Sequence, residues 1–346
     1  MNELLCFGNA IVDVFACADS AWLEKQGITA PVQHIPREKA QRLWDELDDA
    51  TADIMVSSGG VAANVAKIAA MLNINAAFAG CAGGDDLAAI FEKELRTAGV
   101  VPFLSTGKEK TGLCFTFNCG GETRTAASPG AALEFTEADV QEDLIAGAEA
   151  VVLDGYMLDR RPLVQRILQL ASRRGIPIAL DAASVFQIRE KTEEILHYSR
   201  NYPLIVFMNA DESIVFYDTI RKGSKKTEVT GEQEKETLIL QEICPVLKCI
   251  TEGEIFPIIV IKLGGRGAVV LAGGNIYREE TFTIIPRNTV GAGDAFCAAF
   301  LAAWIRGKPI RECAALGNKV ARKILEVPGT RIKSNKLKSF AKMLRK

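Results

Sequence analysis

The sequence predicts an α/β fold built on a doubly wound, largely parallel sheet with helices on both faces. Two observations predict it. Short apolar runs of strand length at residues 76–80, 150–153, 176–180, 204–208 and 258–263 are each followed by a stretch of helical spacing. That alternation marks parallel strands buried on both sides. A chain of 346 residues with 48% apolar composition can bury a core of that size. Two segments break the rhythm: residues 112–118 and 122–127 flank Cys119-Gly120-Gly121 as a hairpin would, and residues 14–57 mix short strands with helical turns.

Taken in order, the chain opens into the strand-like run Leu4-Leu5-Cys6-Phe7-Gly8, which leads to Asn9-Ala10-Ile11-Val12-Asp13. Helical spacing follows at residues 61–72 and 87–98, on either side of the strand at 76–80. Beyond the hairpin, strands at 150–153, 176–180 and 204–208 alternate with helices at 162–173 and 193–200. Residues 221–236 are charged, interrupted by Gly and poor in apolar side chains, the pattern of a mobile surface insertion. After the strand at 258–263, residues 295–305 and 310–326 read as the last two long helices. No internal repeat is visible, and in such a sheet ligands gather at the carboxyl ends of the strands.

Composition narrows the function. A net charge of −2 gives no basic field for nucleic acid, and the Lys-rich residues 333–346 read as a solvated helix. Nine Cys without a C-x-x-C pair, and only two His, indicate neither a zinc site nor a disulfide framework. No apolar stretch reaches membrane-spanning length, and the N-terminus shows neither a basic flank nor a small-residue cleavage site. The expectation is a soluble cytoplasmic protein without membrane or nucleic-acid partners.

The most informative segment is Arg287-Asn288-Thr289-Val290-Gly291-Ala292-Gly293-Asp294-Ala295-Phe296. Gly291 and Gly293 let backbone N–H groups crowd round an anion, and the helix from Ala295 points its positive end at the same spot. Asp294 at that helix start suits a general base beside a transferred phosphate, although an isolated G-x-G-D is more often only a helix entry. Upstream, Ser58-Gly59-Gly60-Val61-Ala62-Ala63-Asn64 is a helix entry whose glycines let backbone approach a ligand. Asn64 there offers both a donor and an acceptor. Asp13 can accept paired hydrogen bonds from neighbouring hydroxyls, or serve as a turn residue. Asn209 and Glu212 lie one helical turn apart after an apolar strand. Neither a G-x-x-x-x-G-K-[ST] loop nor a complete G-x-G-x-x-G occurs, against P-loop kinases and ordinary dinucleotide-binding dehydrogenases.

Together these words resemble the ribokinase-like, or PfkB, carbohydrate and nucleoside kinases. Residues 288–294 are similar to the family's D-T-x-G-A-G-D signature and Gly59 to Asn64 to its G-G-x-x-x-N motif. Asn209 with Glu212 resembles N-x-x-E, and Lys262-Leu263-Gly264-Gly265-Arg266-Gly267 resembles the glycine loop over the nucleotide phosphates. The motifs stand in the family's order, and the resemblance runs over residues 4–330. It implies one ribokinase-like kinase domain over residues 1–346, with a small β lid from segments about 14–57 and 101–129. The implied reaction moves the γ-phosphate of ATP to a primary hydroxyl of a sugar or nucleoside, with Asp294 as base and Gly291, Ala292 and Gly293 as the anion hole. It further implies an acceptor site of Asp13, Gly59, Gly60 and Asn64, with Arg124 reaching the transferred phosphate as the lid closes. ATP would lie against Asn209, Glu212, Gly264, Gly265, Gly267 and Asn318, with Mg²⁺ oriented through water by Glu212.

The match departs in places. Asn288 stands where the family usually carries an Asp that helps to hold a monovalent cation, so a K⁺ requirement does not carry over. The region from Gly8 to Asp13 and residues 18–27 resemble adenosine kinases, yet Val61 replaces the Ser or Thr common there after the two glycines, and Leu180-Asp181 looks more like the sugar-kinase branch. Two other readings stay open: a non-catalytic nucleoside or sugar sensor on the kinase fold, and a nicotinamide-dependent oxidoreductase on a doubly wound sheet. The sequence does not fix oligomeric state, since a lid can serve as a dimer contact or stand alone; the expectation is monomer or homodimer.

Overall fold

The computed structural model describes residues 2–49, 54–119, 122–221, 227, 229–250, 258–284, 291–326 and 336–344. Runs of Val, Ile, Leu and Ala become strands because such side chains fit a pleated surface packed on both faces. In chain order the strands are β1 (Leu4–Phe7), β2 (Ile11–Cys17), β3 (Val32–His34), β4 (Met55–Gly59), β5 (Ala76–Ala82), β6 (Val101–Thr106) and β7 (Thr111–Cys119). They continue with β8 (Glu122–Gly130), β9 (Ala150–Asp154), β10 (Ile178–Asp181), β11 (Leu204–Asn209), β12 (Ile258–Lys262), β13 (Ala268–Ala272) and β14 (Asn275–Glu279).

One sheet has the order β14-β13-β12-β11-β10-β9-β1-β5-β6. Pairing is parallel from β6 to β12 and antiparallel at β13 and β14. From β1 the chain winds outward through β5 and β6, then returns to β9 and winds the other way. The reversal falls between β1 and β9, where a crevice opens beyond the carboxyl ends of the strands. Register then aligns side chains along that crevice: Asp154 is level with Asp181, and Asn209 with Lys262.

Each face of the sheet carries its own apolar core. The helix Ala292–Ile305 is apolar all round and buried through Ala295 to Ala303, as a helix packed on several sides must be. Phe300 meets Phe207 of β11 edge to face, ring centroids 5.4 Å apart. The helix Val61–Met71 packs beside it, its small Ala residues permitting close approach.

The second sheet, β3-β8-β7-β2-β4, is the expected small β element. Helices Ser20–Lys25 and Arg37–Asp49 accompany it, and Trp22 meets Phe117 of β7 with ring centroids 5.7 Å apart. Two boundaries need correction. β6 does not join this sheet; it pairs in parallel with β5 at the edge of the large sheet, so the second lid segment begins at β7. The charged stretch 221–236 ends in the helix Glu232–Leu238, where buried Glu236 receives the guanidiniums of Arg266 and Arg278. Charge there serves a tertiary ion cluster, which composition alone reads as solvation.

Candidate active site

One end of the crevice is built where β1 passes into β2 and β4 into the helix Val61–Met71. Asp13 on β2 is 8% exposed, and its carboxyl crowds Gly59: a Cβ at Gly59 would fall 2.2 Å from Asp13 Cγ. Gly60 has φ of +88°, and a Cβ there would meet the Asn9 carbonyl at 2.6 Å. Any larger residue at either position would displace the backbone or the carboxylate. Behind them Ser58 anchors the strand end. Its N–H and hydroxyl donate to Glu94, at 2.7 and 3.1 Å, while Lys67 Nζ donates to the Ser58 carbonyl at 2.6 Å. Burial pushes Asp13 up to about 7, with Asp294 and Glu94 adding to the rise and Lys67 opposing it.

One helical turn into Val61–Met71, Asn64 Nδ2 donates to Asp294 Oδ2 at 2.8 Å. Asp294 lies in the first turn of Ala292–Ile305, whose entry residue Gly291 has φ of +80° and whose N-terminal end no side chain caps. The first N–H groups of a helix lack intrahelical partners, so those of Ala292 and Gly293 and the positive end of the dipole are directed at the crevice. Burial raises Asp294 to about 6, helped by Asp181, while Asn64, Lys262 and Lys67 favour its charged form.

The next part of the crevice joins β10, β11 and β12. Lys262, the last residue of β12, donates through Nζ to Asp181 Oδ2 at 2.8 Å. A Cβ on Gly293 would lie 3.3 Å from that same Nζ, so the ammonium rests against the first turn of the helix Ala292–Ile305. Asn209 and Glu212 form a reciprocal capping box: Asn209 N–H donates to Glu212 Oε2 at 2.7 Å, and Glu212 N–H to Asn209 Oδ1 at 2.9 Å. Glu212 is buried, which lifts it to about 7; Lys262 opposes the shift and Asp181 adds to it. Beyond β12, Gly264–Arg266 forms a 3-10 turn, and Gly267 packs its Cα on the Glu279 carbonyl.

A model of the pfkB family of carbohydrate kinases matches residues 2–337. The chain belongs to that family. Its fold is ribokinase-like, and it is a sugar or nucleoside kinase, a phosphotransferase with an alcohol group as acceptor. An adenosine kinase of Schizophyllum commune is 23% identical over 96% of this pfkB-family chain and 97% of its own length. The structure of an adenosine kinase from Sinorhizobium meliloti superposes with a TM-score of 0.82 at 25% identity, covering 99% of each chain. A probable sugar kinase from Rhizobium etli gives the same TM-score and identity over 100% of each chain.

Within this pfkB-family kinase, Asp13, Gly59, Gly60, Asn64 and Gly291 to Asp294 meet at one end of the crevice. Asn209, Glu212, Gly264 and Gly265 continue from it along the ends of β11 and β12. Asn318 lies on the helix Ile310–Leu325, where its amide donates to the carbonyls of Glu279 and Glu280 at 3.2 and 3.5 Å, beside Gly267. Arg124 stands apart on β8, donating to the Ile28 carbonyl at 3.0 Å within the small sheet. Asn288 lies outside the described residues.

The sequence motifs overlooked several residues. Asp154 ends β9, is buried, and is raised to about 7 by that burial. Arg160 donates to Asn9 Oδ1 at 2.6 Å, fixing an amide next to Gly60. Lys262 and Asp181 flank Gly293 and Asp294. A usable signal existed: Asp154, Asp181 and Lys262 are single charged residues that each terminate an otherwise apolar strand, and in a parallel sheet those ends converge.

Proposed function

We propose that this kinase transfers the γ-phosphate of ATP to the primary hydroxyl of a nucleoside, adenosine being the first acceptor to test. The observation that carries the reading is the Asn64–Asp294 hydrogen bond, which sets a base beside the uncapped helix end while Asp13 lines the same space. In this reading Asp13 and Asn64 hold ribose hydroxyls, with Gly59 and Gly60 admitting the ring close to the backbone. The primary hydroxyl then faces Asp294, which takes its proton as the oxygen attacks phosphorus. The bond to ADP breaks on the opposite side, and the N–H groups of Ala292 and Gly293 receive the charge that builds on the phosphoryl oxygens.

The nucleotide would lie over the ends of β11 and β12, against Asn209, Gly264, Gly265 and Gly267, with Asn318 at its far end. Among the described residues no group of three or more His, Cys, Asp or Glu is placed to cage a metal ion. That donor set fits Mg²⁺, which retains waters and is held largely by phosphates, with Glu212 orienting a water. Bound there, Mg²⁺ would neutralise charge on the β- and γ-phosphates. Closure of the small sheet over the crevice would exclude water and limit hydrolysis of ATP.

A sugar acceptor is the second reading, favoured by the equal structural likeness to the probable sugar kinase of Rhizobium etli. ATP turnover across adenosine, other nucleosides, pentoses and hexoses tests both. A kcat/KM for adenosine at least tenfold above every free sugar supports the nucleoside reading. The reverse order overturns it.

A further inference from the structure

We propose that Lys262 is a catalytic residue that contacts the transferred phosphoryl group, its ammonium being stored on Asp181 and turning to the γ-phosphate when ATP binds. This rests on the ATP-dependent transfer proposed above, which assigns Lys262 no part. Three observations converge on it. Lys262 Nζ sits 2.8 Å from Asp181 Oδ2 and 3.3 Å from where a Cβ on Gly293 would lie, beside a helix N-terminus that no side chain caps. Its side chain is only 14% exposed and that of Asp181 only 6%, so the pair is set in the wall of the crevice. And the titratable groups facing the ammonium are acidic or neutral: Asp181, Glu212, Asp294 and the Cys297 thiol.

Fold stability is a poor explanation for such a pair. Removing two charges from water offsets most of their attraction, and an apolar pair of similar volume often stabilises a core as well. Function supplies a better reason. Before ATP arrives, three carboxylates surround one ammonium; afterwards the triphosphate adds several negative charges a few ångströms away. A lysine held by one hydrogen bond can pivot about its stem, remaining near Asp181 while donating to a phosphate oxygen. In the transfer itself the acceptor oxygen bonds to phosphorus and the bond from phosphorus to the β–γ bridging oxygen breaks. That electron pair leaves on ADP, and the hydroxyl proton goes to Asp294. Lys262 keeps its proton throughout and stabilises the charge on the group in flight.

The test compares Lys262→Met with the double variant Asp181→Asn/Lys262→Met, which removes both charges and so spares the fold an unpaired carboxylate. Calorimetry would measure binding of Mg²⁺ with ADP and of Mg²⁺ with a non-hydrolysable ATP analogue. Both variants should lose about tenfold or more of the wild-type preference for the analogue, since a charge-assisted bond to the γ-phosphate is missing, while ADP affinity changes by less than about threefold. Turnover should fall by roughly two to three powers of ten and recover in part with added methylammonium. Equal weakening of both nucleotides, or wild-type turnover in the double variant, would overturn the proposal by reducing Lys262 to a counter-ion for Asp181. Should Lys262→Met fail to fold, the double variant carries the comparison. Should wild type transfer phosphate to no acceptor, the functional reading falls while the nucleotide-preference measurement still decides Lys262.

Discussion

Asn64 Nδ2 and Asp294 Oδ2 are hydrogen-bonded across 2.8 Å, although 230 positions separate the two residues in the chain. The bond ties the helix that follows Gly59 and Gly60 to the uncapped N-terminal turn of the helix Ala292–Ile305. In the proposed reaction a hydroxyl held by Asn64 would thereby be registered against the base. The same bond favours the charged form of Asp294, the form a base requires.

Replacement of Asp294 by Asn removes the base and keeps the shape. Phosphoryl transfer should drop by about two to four powers of ten, with ATP affinity nearly unchanged, because proton removal belongs to the transition state and not to nucleotide docking. Steady-state rates and equilibrium binding on the same preparation check this. Turnover within threefold of wild type would take Asp294 out of the role.

Asp13→Ala should act on the acceptor. Loss of paired hydrogen bonds to neighbouring hydroxyls raises the acceptor KM and lowers kcat by misaligning the attacking oxygen, while ATP affinity stays within about twofold. Acceptor binding by calorimetry is the direct measurement, and an unaltered affinity would show that the acceptor lies elsewhere.

Stability should decline as pH rises from 5 to 7.5. Burial raises Asp13, Asp154 and Glu212 to about 7 and Asp294 to about 6, from ordinary values of 3.8 for Asp and 4.5 for Glu. In that window the folded chain holds protons that the unfolded chain has released, so the slope of unfolding free energy against pH is negative. Carboxyls shifted the other way, such as Glu3 bonded to Arg306, change their contribution only below about pH 4.5 and do not enter it. Scanning calorimetry of the nucleotide-free protein should give a higher Tm at pH 5, and Asp294→Asn should narrow the difference. A Tm that climbs across the window contradicts the electrostatics described here.

Ions give a further prediction. Mg²⁺ should be indispensable to turnover, since it offsets charge that Lys262 alone cannot balance. K⁺ should matter little, because the amide of Asn288 offers a cation only a dipole where a carboxylate would offer a full charge. Initial rates with ATP as its Tris salt, with and without K⁺ at constant ionic strength, decide the point. Activation of tenfold or more would restore a cation site beside the anion hole.

Much of the site was legible in the chain because its signals are local. Glycine pairs, a helix entry and an Asp or Asn at fixed offsets announce Asp13, Gly59, Asn64, Asn209 and Gly291 to Asp294 as a set. The lid bounds implied by the resemblance took in β6, since motif order does not name a strand's partner. The local reading took Glu236 for surface charge, since Arg266 and Arg278 close on it from 30 and 42 positions away. Lys262 was seen only as the start of a glycine loop, because its meaning depends on Asp181, 81 positions upstream.

By itself, then, the sequence determined the alternation of strands and helices and the turns that need glycine, through propensity and spacing within a few residues, while the order of its motifs carried the resemblance to the kinase family. Tertiary structure alone decided which strand ends converge, which carboxylates share one ammonium, and how far burial lifts Asp13, Asp154, Glu212 and Asp294. The reason is physical: periodicity is imposed by each segment's own backbone geometry. Register, burial and the field at a side chain are set by elements packed from the whole length of the chain.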